Sequence, residues 1–387
     1  MKIGIITFHF ASNCGAVLQC LALSETLKKL GHDVYVIDYK PSYHTKRYQA
    51  LKDPFYYGKK AMMTSAGASK KLKVFRYLKG FAGAVYAWRF YFVQKEINEH
   101  FKSFVFKHLN LTKEYSSLKE LQAYPPSCDL YISGSDQVWN TVITDGTFDT
   151  AYLLDFGLSE TRRISYAAGV NIKNCDAVLN KYEDLLNRFQ TISLREKRYR
   201  GNFERIVSHQ ERVRIDIDPT LLLECDEYQR YMSKDTLETD TFILIYTMQD
   251  SSQKEVDKVA YDLAQKTGWK VIDISNNPKR RMNKAFECRN CGPSEFLWYV
   301  KHAEFVITNS YHSTVFSILF ETKFIAIPHS QTGYRITELL DELGLSRNYT
   351  EETEMAVACY NREANCCLCK QKIQIKKEKS ISYLSFM

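Results

Sequence analysis

No stretch of the 387 residues reaches the roughly 18 uninterrupted apolar positions that a membrane-spanning helix needs. The opening, MKIGIITFHFASN, lacks the basic-then-apolar layout of a secretory leader and reads as a first strand, so the expected location is the cytoplasm. There is no internal repeat at a fixed period. The turn after that first strand carries neither G-x-G-x-x-G nor G-x-x-x-x-G-K-[ST], so neither a dinucleotide fingerprint nor a P-loop is supported. No nucleic-acid-binding motif is present either. The 11 cysteines are an odd number, scattered from Cys14 to Cys369, and in the cytoplasm they are expected to stay reduced. CRNC (Cys288, Cys291) and CCLC (Cys366, Cys367, Cys369) offer thiol pairs for zinc. They lie far apart in the chain and lack the flanking turns of a zinc ribbon, so no metal is expected.

What is present is a chain of 45% apolar residues, with a mean hydropathy of −0.35, long enough for two domains with separate cores. Its 53 lysines and arginines exceed 45 acidic residues, a net charge of +8 that favours an anionic partner: phosphate, nucleic acid or a membrane surface.

KIGIIT predicts a strand. Residues 15–30 predict a helix with an apolar stripe of Val17, Leu18, Leu21, Leu23, Leu27 and Leu30, closed by Gly31. VYVIDY is the next strand, and this β-α-β opening argues for a parallel sheet covered by helices. Residues 41–125 break the rhythm with a basic and aromatic insertion. Strands resume at DLYIS, RISYAA, TISL and VRIDI, and residues 222–240 turn polar, as a linker would. A second alternation runs from TFILIYTM to RITELLDELG. The expectation is an N-terminal Rossmann-like domain (1–222, with the insertion), a C-terminal one (241–345), a cleft between them, and a charged tail (346–387).

Ligands of open α/β sheets gather at the carboxyl ends of strands. Four such ends carry unusual polar groups. FHFASNCGAVLQ has His9, Asn13 and Gly15 between strand and helix, where backbone N–H groups can meet an anion. GSDQVWN sets Asp136, Gln137 and Trp139 side by side, poor choices for a plain turn. TISLREKR places Arg195 after a buried strand, where arginine suits bidentate phosphate or carboxylate recognition. In ITNSYHSTVFSILF, Asn309 or Ser310 caps a helix whose first turn holds His312. A helix N-terminus attracts anions, and a histidine there can act as general acid or base.

Together these segments, with DPTLLL (Asp218 to Leu223) and Arg335 of YRITELL, resemble the polysaccharide pyruvyl transferase family. The likeness runs from the N-terminus to about Leu345, apart from the insertion, and GSDQVWN is its most specific part. It implies a GT-B-like pair of Rossmann-like domains. It also implies an enzyme that moves the pyruvyl group of phosphoenolpyruvate onto a sugar of a cell-surface polysaccharide, capsule or exopolysaccharide, or of its lipid-linked precursor, forming a ketal. No cofactor is implied beyond the donor itself. His312 matches the family's cleft histidine, the catalytic acid/base. Substrate binding falls to Asn13, Gly15, Gln19, Gly134, Ser135, Asp136, Gln137, Trp139, Arg195, Asn309, Ser310 and Arg335, with the Trp139 indole stacking on a sugar face. Some branches carry arginine two residues before the histidine, where this chain has Ser310. Either Arg195 and Arg335 supply the positive charge for the donor, or the donor sits differently.

GFAGAVYAWRFYFV in the insertion is apolar almost all round. It reads either as a helix packed on the N-terminal domain or as an interfacial element at the inner face of the plasma membrane, useful for a polyprenyl-diphosphate-linked acceptor. Two other classes compete: a GT-B glycosyltransferase using a nucleotide sugar, and a non-catalytic membrane- or nucleic-acid-binding protein. GSDQVWN with NSYHS speaks against the first. Charge dispersed outside the insertion speaks against the second, and no nucleic-acid partner is expected.

Overall fold

The computed structural model describes residues 1–63, 69–144, 147–248, 252–277, 280, 285–329, 333–350, 352–360 and 367–386. The N-terminal sheet is made of β1 (Lys2–Ile6), β2 (Asp33–Tyr39), β3 (Leu111–Tyr115), β4 (Leu130–Ser133) and, after the short β5 (Trp139–Asn140), β6 (Arg162–Ser165). Its strands are all parallel, in the order β3-β2-β1-β4-β6. β7 (Val170–Asn171) pairs with β5, and β8 (Ile192–Leu194) pairs with β9 (Val213–Ile215). Single bridges from Ile164 to Thr191 and from Ala168 to Leu194 attach these pairs to the sheet edge. The C-terminal sheet holds β10 (Phe242–Tyr246), β11 (Lys270–Asp273), β12 (Glu287–Cys288), β13 (Phe305–Thr308) and β14 (Phe324–Ala326). Its order, β12-β11-β10-β13-β14, repeats that of the first sheet. The central strands KIGII and FILIY are buried runs without alternation, as parallel strands covered on both faces require.

Strand order reverses on either side of β1 in one sheet and of β10 in the other. The strand ends there face each other across the cleft. Helix Cys14–Lys29 follows β1. Asn13 caps it through its side chain, which accepts from Gly15 N at 3.0 Å, and Gly31 ends it at φ 85°. Its stripe is wider than expected, because the helix is buried on nearly every side. Val17, Leu18 and Leu21 share one core with Leu244, Phe296 and Phe316 of the C-terminal half.

Three regions differ from the expectation. β3 begins at Leu111, so the sheet resumes inside the stretch read as insertion. The helix before it, Tyr91–His108, buries Ile97, Phe101, Phe104 and Val105 in the shared core. The polar stretch after Leu222 is no loose linker, since Leu223, Tyr228 and Tyr231 are buried against the same core. The tail is structural as well. Helix Cys367–Ser385 bonds the C-terminal half through Lys372 Nζ to Glu342 O (2.9 Å) and the N-terminal half through Ser380 Oγ to Asp216 Oδ1 (2.8 Å) and Tyr383 OH to Ser165 O (3.2 Å). Cys366 lies outside the described residues. Among the described residues no group of three His, Cys, Asp or Glu could hold a metal, and no helix is long and apolar enough to cross a membrane.

Candidate functional site

Where the strand ends converge lies a cavity of about 380 Å³. The loop after β1 gives it Asn13. The turn after β4 gives Asp136, Gln137 and Asn140. The β13 junction gives Asn309, Ser310, Tyr311 and His312, and Arg335 comes from the helix Tyr334–Leu343. His44, Arg47 and Tyr48 close one wall.

Ser310 caps helix Tyr311–Leu319, its side chain accepting from Ser313 N, which sets His312 in the first turn. His312 Nε2 stands 3.3 Å from Asp218 Oδ2. The Nδ1 side of the ring lies on Gly15 of the other half: a methyl group added there would sit 2.0 Å from Nδ1. Asp218 follows β9 and caps the short turn Pro219–Leu221, its Oδ1 accepting from Thr220 N (3.0 Å) and Thr220 Oγ1 (2.7 Å). Its Oδ2 accepts from Arg195 Nη1 at 2.7 Å. Burial opposes ionisation of Asp218, but His312, Arg195 and Thr220 outweigh it and hold the carboxyl well below the usual range. Nε2 is buried and makes no aligned hydrogen bond among the described residues, so Asp218 acts on it through charge at 3.3 Å, which favours a proton on Nε2 over one on Nδ1.

Arg195 lies behind this pair. Its Nε and Nη2 donate to Glu196 Oε1 at 3.2 Å, and its guanidinium stacks over Tyr311 at 4.9 Å. Burial disfavours its charge, yet Glu196 and Asp218 push its pKa up. Glu196 also accepts from Gln137 Nε2 (3.3 Å) and Val170 N (2.8 Å). Arg195 is therefore balanced by two carboxylates and orients Asp218, and it does not line the His312 cavity.

Arg335 is different. Among the described residues it has no ion-pair partner, and its buried Nε has no hydrogen bond. Burial first, and then the neighbouring charge of Arg195, pull its pKa down. Arg47 lines the same cavity, and among the described residues its Nη2 donates only a long bond to Ile143 O (3.4 Å). Burial lowers His44 to about 3, helped by Arg47, and His329 to about 4, helped by Arg335, so both are neutral at pH 7. Facing these cations is Asp136, 8% exposed, held at φ 67° with its carboxylate unbonded among the described residues. A non-glycine residue in that conformation marks a position the fold imposes. Gly169 makes it feasible: it donates to Asp136 O at 2.7 Å, and a side chain there would come within 2.3 Å of that oxygen.

The structure thus brings Asn13, Asp136, Gln137, Asn309, Ser310, His312 and Arg335 to one cavity. Gly15 seats the His312 ring, and Arg195 acts through Asp218. Gln19, Gly134 and Ser135 lie beneath, bracing the loop through Thr7: Gln19 Nε2 donates to Thr7 Oγ1 (2.9 Å), and Thr7 Oγ1 to Ser135 O (2.8 Å). Trp139 is a correction. It is 0% exposed, donates Nε1–H to Tyr152 O at 2.9 Å and stacks on Phe203, so its indole fills the N-terminal core and offers no face to a sugar. Sequence reasoning passed over Asp218 as a partner for His312, although it stood in DPTLLL. It also missed Arg47 and His44, which were assigned to a peripheral insertion.

A family model described as polysaccharide pyruvyl transferase matches residues 13–331. No curated protein matches the chain in sequence. Among solved structures it is similar to the UDP-GlcNAc 2-epimerase of Methanocaldococcus jannaschii in complex with UDP-GlcNAc and UDP (13% identity, TM-score 0.51, 99% of this chain and 100% of that one). It is also similar to the UDP-GlcNAc 2-epimerase of Neisseria meningitidis bound to UDP-GlcNAc (10% identity, TM-score 0.51, 99% and 100%). At such identities the likeness is one of fold: a GT-B-like pair of α/β domains around a cleft.

Proposed function

The chain belongs to the polysaccharide pyruvyl transferase family, and from that premise we propose that it transfers the pyruvyl group of phosphoenolpyruvate to two hydroxyls of one sugar, forming a cyclic ketal and releasing phosphate. The acceptor in this reading is a cell-surface polysaccharide or its polyprenyl-diphosphate-linked precursor, met at the cytoplasmic face of the membrane. The observation that carries the reading is a histidine beside a buried carboxylate, opening on a cavity that also holds a guanidinium with no ion-pair partner among the described residues.

Arg335, with Arg47 across the cavity, supplies charge for the donor's phosphate and carboxylate. His312 Nδ1 takes the proton of the first sugar hydroxyl, and Asp218 stabilises the imidazolium that results. That imidazolium then delivers its proton to the donor's methylene carbon, C3, as the hydroxyl oxygen bonds to C2. The methylene becomes a methyl group, and C2 carries both phosphate and sugar. The second hydroxyl displaces phosphate from C2. Asp136, a cavity carboxylate with no side-chain bond among the described residues, accepts that hydroxyl's proton in this reading, and the departing phosphate carries away the bonding pair.

The test is phosphate release from phosphoenolpyruvate by the purified protein, over a panel of aryl β-glycosides and lipid-linked sugars. Acceptor-dependent release, with a product mass raised by a pyruvyl ketal and lost in His312→Ala, is expected. A melting temperature raised by UDP-sugars but not by phosphoenolpyruvate would replace this reading with a nucleotide-sugar transferase.

A further inference from the structure

Two inserted helices stand apart from the core. Pro54–Met63 and Lys70–Ala87 pack on each other through glycines: a side chain on Gly58 would meet Tyr77 at 2.8 Å, and one on Gly80 would meet Tyr57 O at 2.6 Å. Beyond Gly58 and Ala84 they bury nothing fully. Their outer face is apolar. Leu72, Phe75, Leu78, Val85, Trp88 and Phe92 recur at helical spacing and point to solvent, with Phe75 62% and Leu78 57% exposed. Exposed Lys71, Arg76, Lys79 and Arg89 flank them. From Pro54 to Lys95 the chain has nine lysines and arginines and no aspartate or glutamate.

We propose that this helical hairpin seats the protein on the anionic surface of a lipid membrane. The stripe through Phe75 and Leu78 enters the headgroup layer, and the flanking cations meet lipid phosphates. Charge decides between occupants. A second copy of the same face would bring nine cations against nine. A nucleic acid would leave the apolar stripe in water.

The hairpin is also tied to the cleft. Tyr57 OH donates to Lys46 O (3.0 Å), Trp88 Nε1 to Lys52 O (2.8 Å), and Asn98 Nδ2, on the next helix, to Tyr48 O (2.7 Å). Lys46 and Tyr48 flank Arg47 in the cavity wall. Docking therefore sets that wall near the lipid surface. That this serves a lipid-linked acceptor rests on the pyruvyl-transfer reading, but docking itself does not.

Co-sedimentation of the full chain with vesicles tests it, using phosphatidylcholine alone or mixed with phosphatidylglycerol. The wild type should pellet with the mixed vesicles, less so at high salt. Phe75→Ser/Leu78→Ser and Lys71→Glu/Lys79→Glu should each weaken partitioning at least about tenfold. Their melting temperatures and turnover of a water-soluble glycoside should be unchanged. A wild type left in the supernatant, equal binding to both vesicle types, or double variants that pellet like wild type would overturn the proposal. None of those results would touch the chemistry assigned to His312.

Discussion

Asp218→Asn removes one charge and almost no volume at the point where His312, Arg195 and Thr220 meet. Asparagine keeps one acceptor, enough for Thr220, and turns its amide N–H toward Arg195, while Glu196 still balances the guanidinium. The stability cost should be that of a broken buried ion pair, about 3–5 kcal/mol. Catalysis should suffer more. Without the carboxylate, nothing fixes the proton on His312 Nε2 or stabilises the imidazolium, and kcat should drop about a hundred- to ten-thousandfold. KM for phosphoenolpyruvate should hardly move, because Arg335 is untouched. The pH dependence follows from the sign of the shift. The Asp218 pKa is lowered on folding, so its contribution is fully present above the unfolded value, about 3.9, and is lost as pH falls through the folded one. The stability gap between wild type and variant should therefore stay constant from pH 7 down to about pH 4 and narrow only below it. Urea unfolding across that range, with steady-state phosphate release at pH 7, reads both. A variant with kcat within about threefold of wild type, or a gap already closed at pH 6, would refute the assigned role.

Gly15→Ala puts a methyl group 2.0 Å from His312 Nδ1, so kcat should fall about a hundredfold although alanine suits the helix better; unchanged kcat would mean the ring is not seated there during turnover. Arg335→Ala should raise KM for phosphoenolpyruvate about ten- to a hundredfold, while the melting temperature holds or rises because a partly desolvated cation with no ion-pair partner among the described residues is gone; isothermal titration with the donor checks the first, and unaltered affinity would remove Arg335 from donor binding. Trp139→Phe should cost about 1–3 kcal/mol, through the lost bond to Tyr152 O and a looser stack on Phe203, with acceptor KM unmoved; a KM effect without a stability loss would return the indole to the sugar.

The β/α alternation was legible because buried parallel strands such as KIGII and FILIY are near-continuous apolar runs. The site was legible where polar groups follow such runs directly, as at Asn13, Asp136 and Ser310. Three features were hidden. β3, LTKEY, is a polar edge strand with only Tyr115 buried, so its pattern resembles a loop. Trp139 sits beside Asn140 of the cavity wall, but the left-handed turn at Asp136 sends β5 back beside β7 and carries the indole inward, a reversal no composition rule contains. The pairing of Asp218 with His312 joins distant parts of the chain and leaves no local trace. The family resemblance named the histidine, and only the fold supplied its partner.

His312 belongs to one half of the molecule, while Gly15 beneath it and Asp218 beside it belong to the other. The seam between those halves is packed with Val17, Leu18, Phe296 and Phe316. A histidine–carboxylate pair astride an apolar seam is brought together when the chain folds and is held there by that packing. Sliding the halves apart would expose that core to water, so the packing itself resists a cleft that opens and closes like jaws.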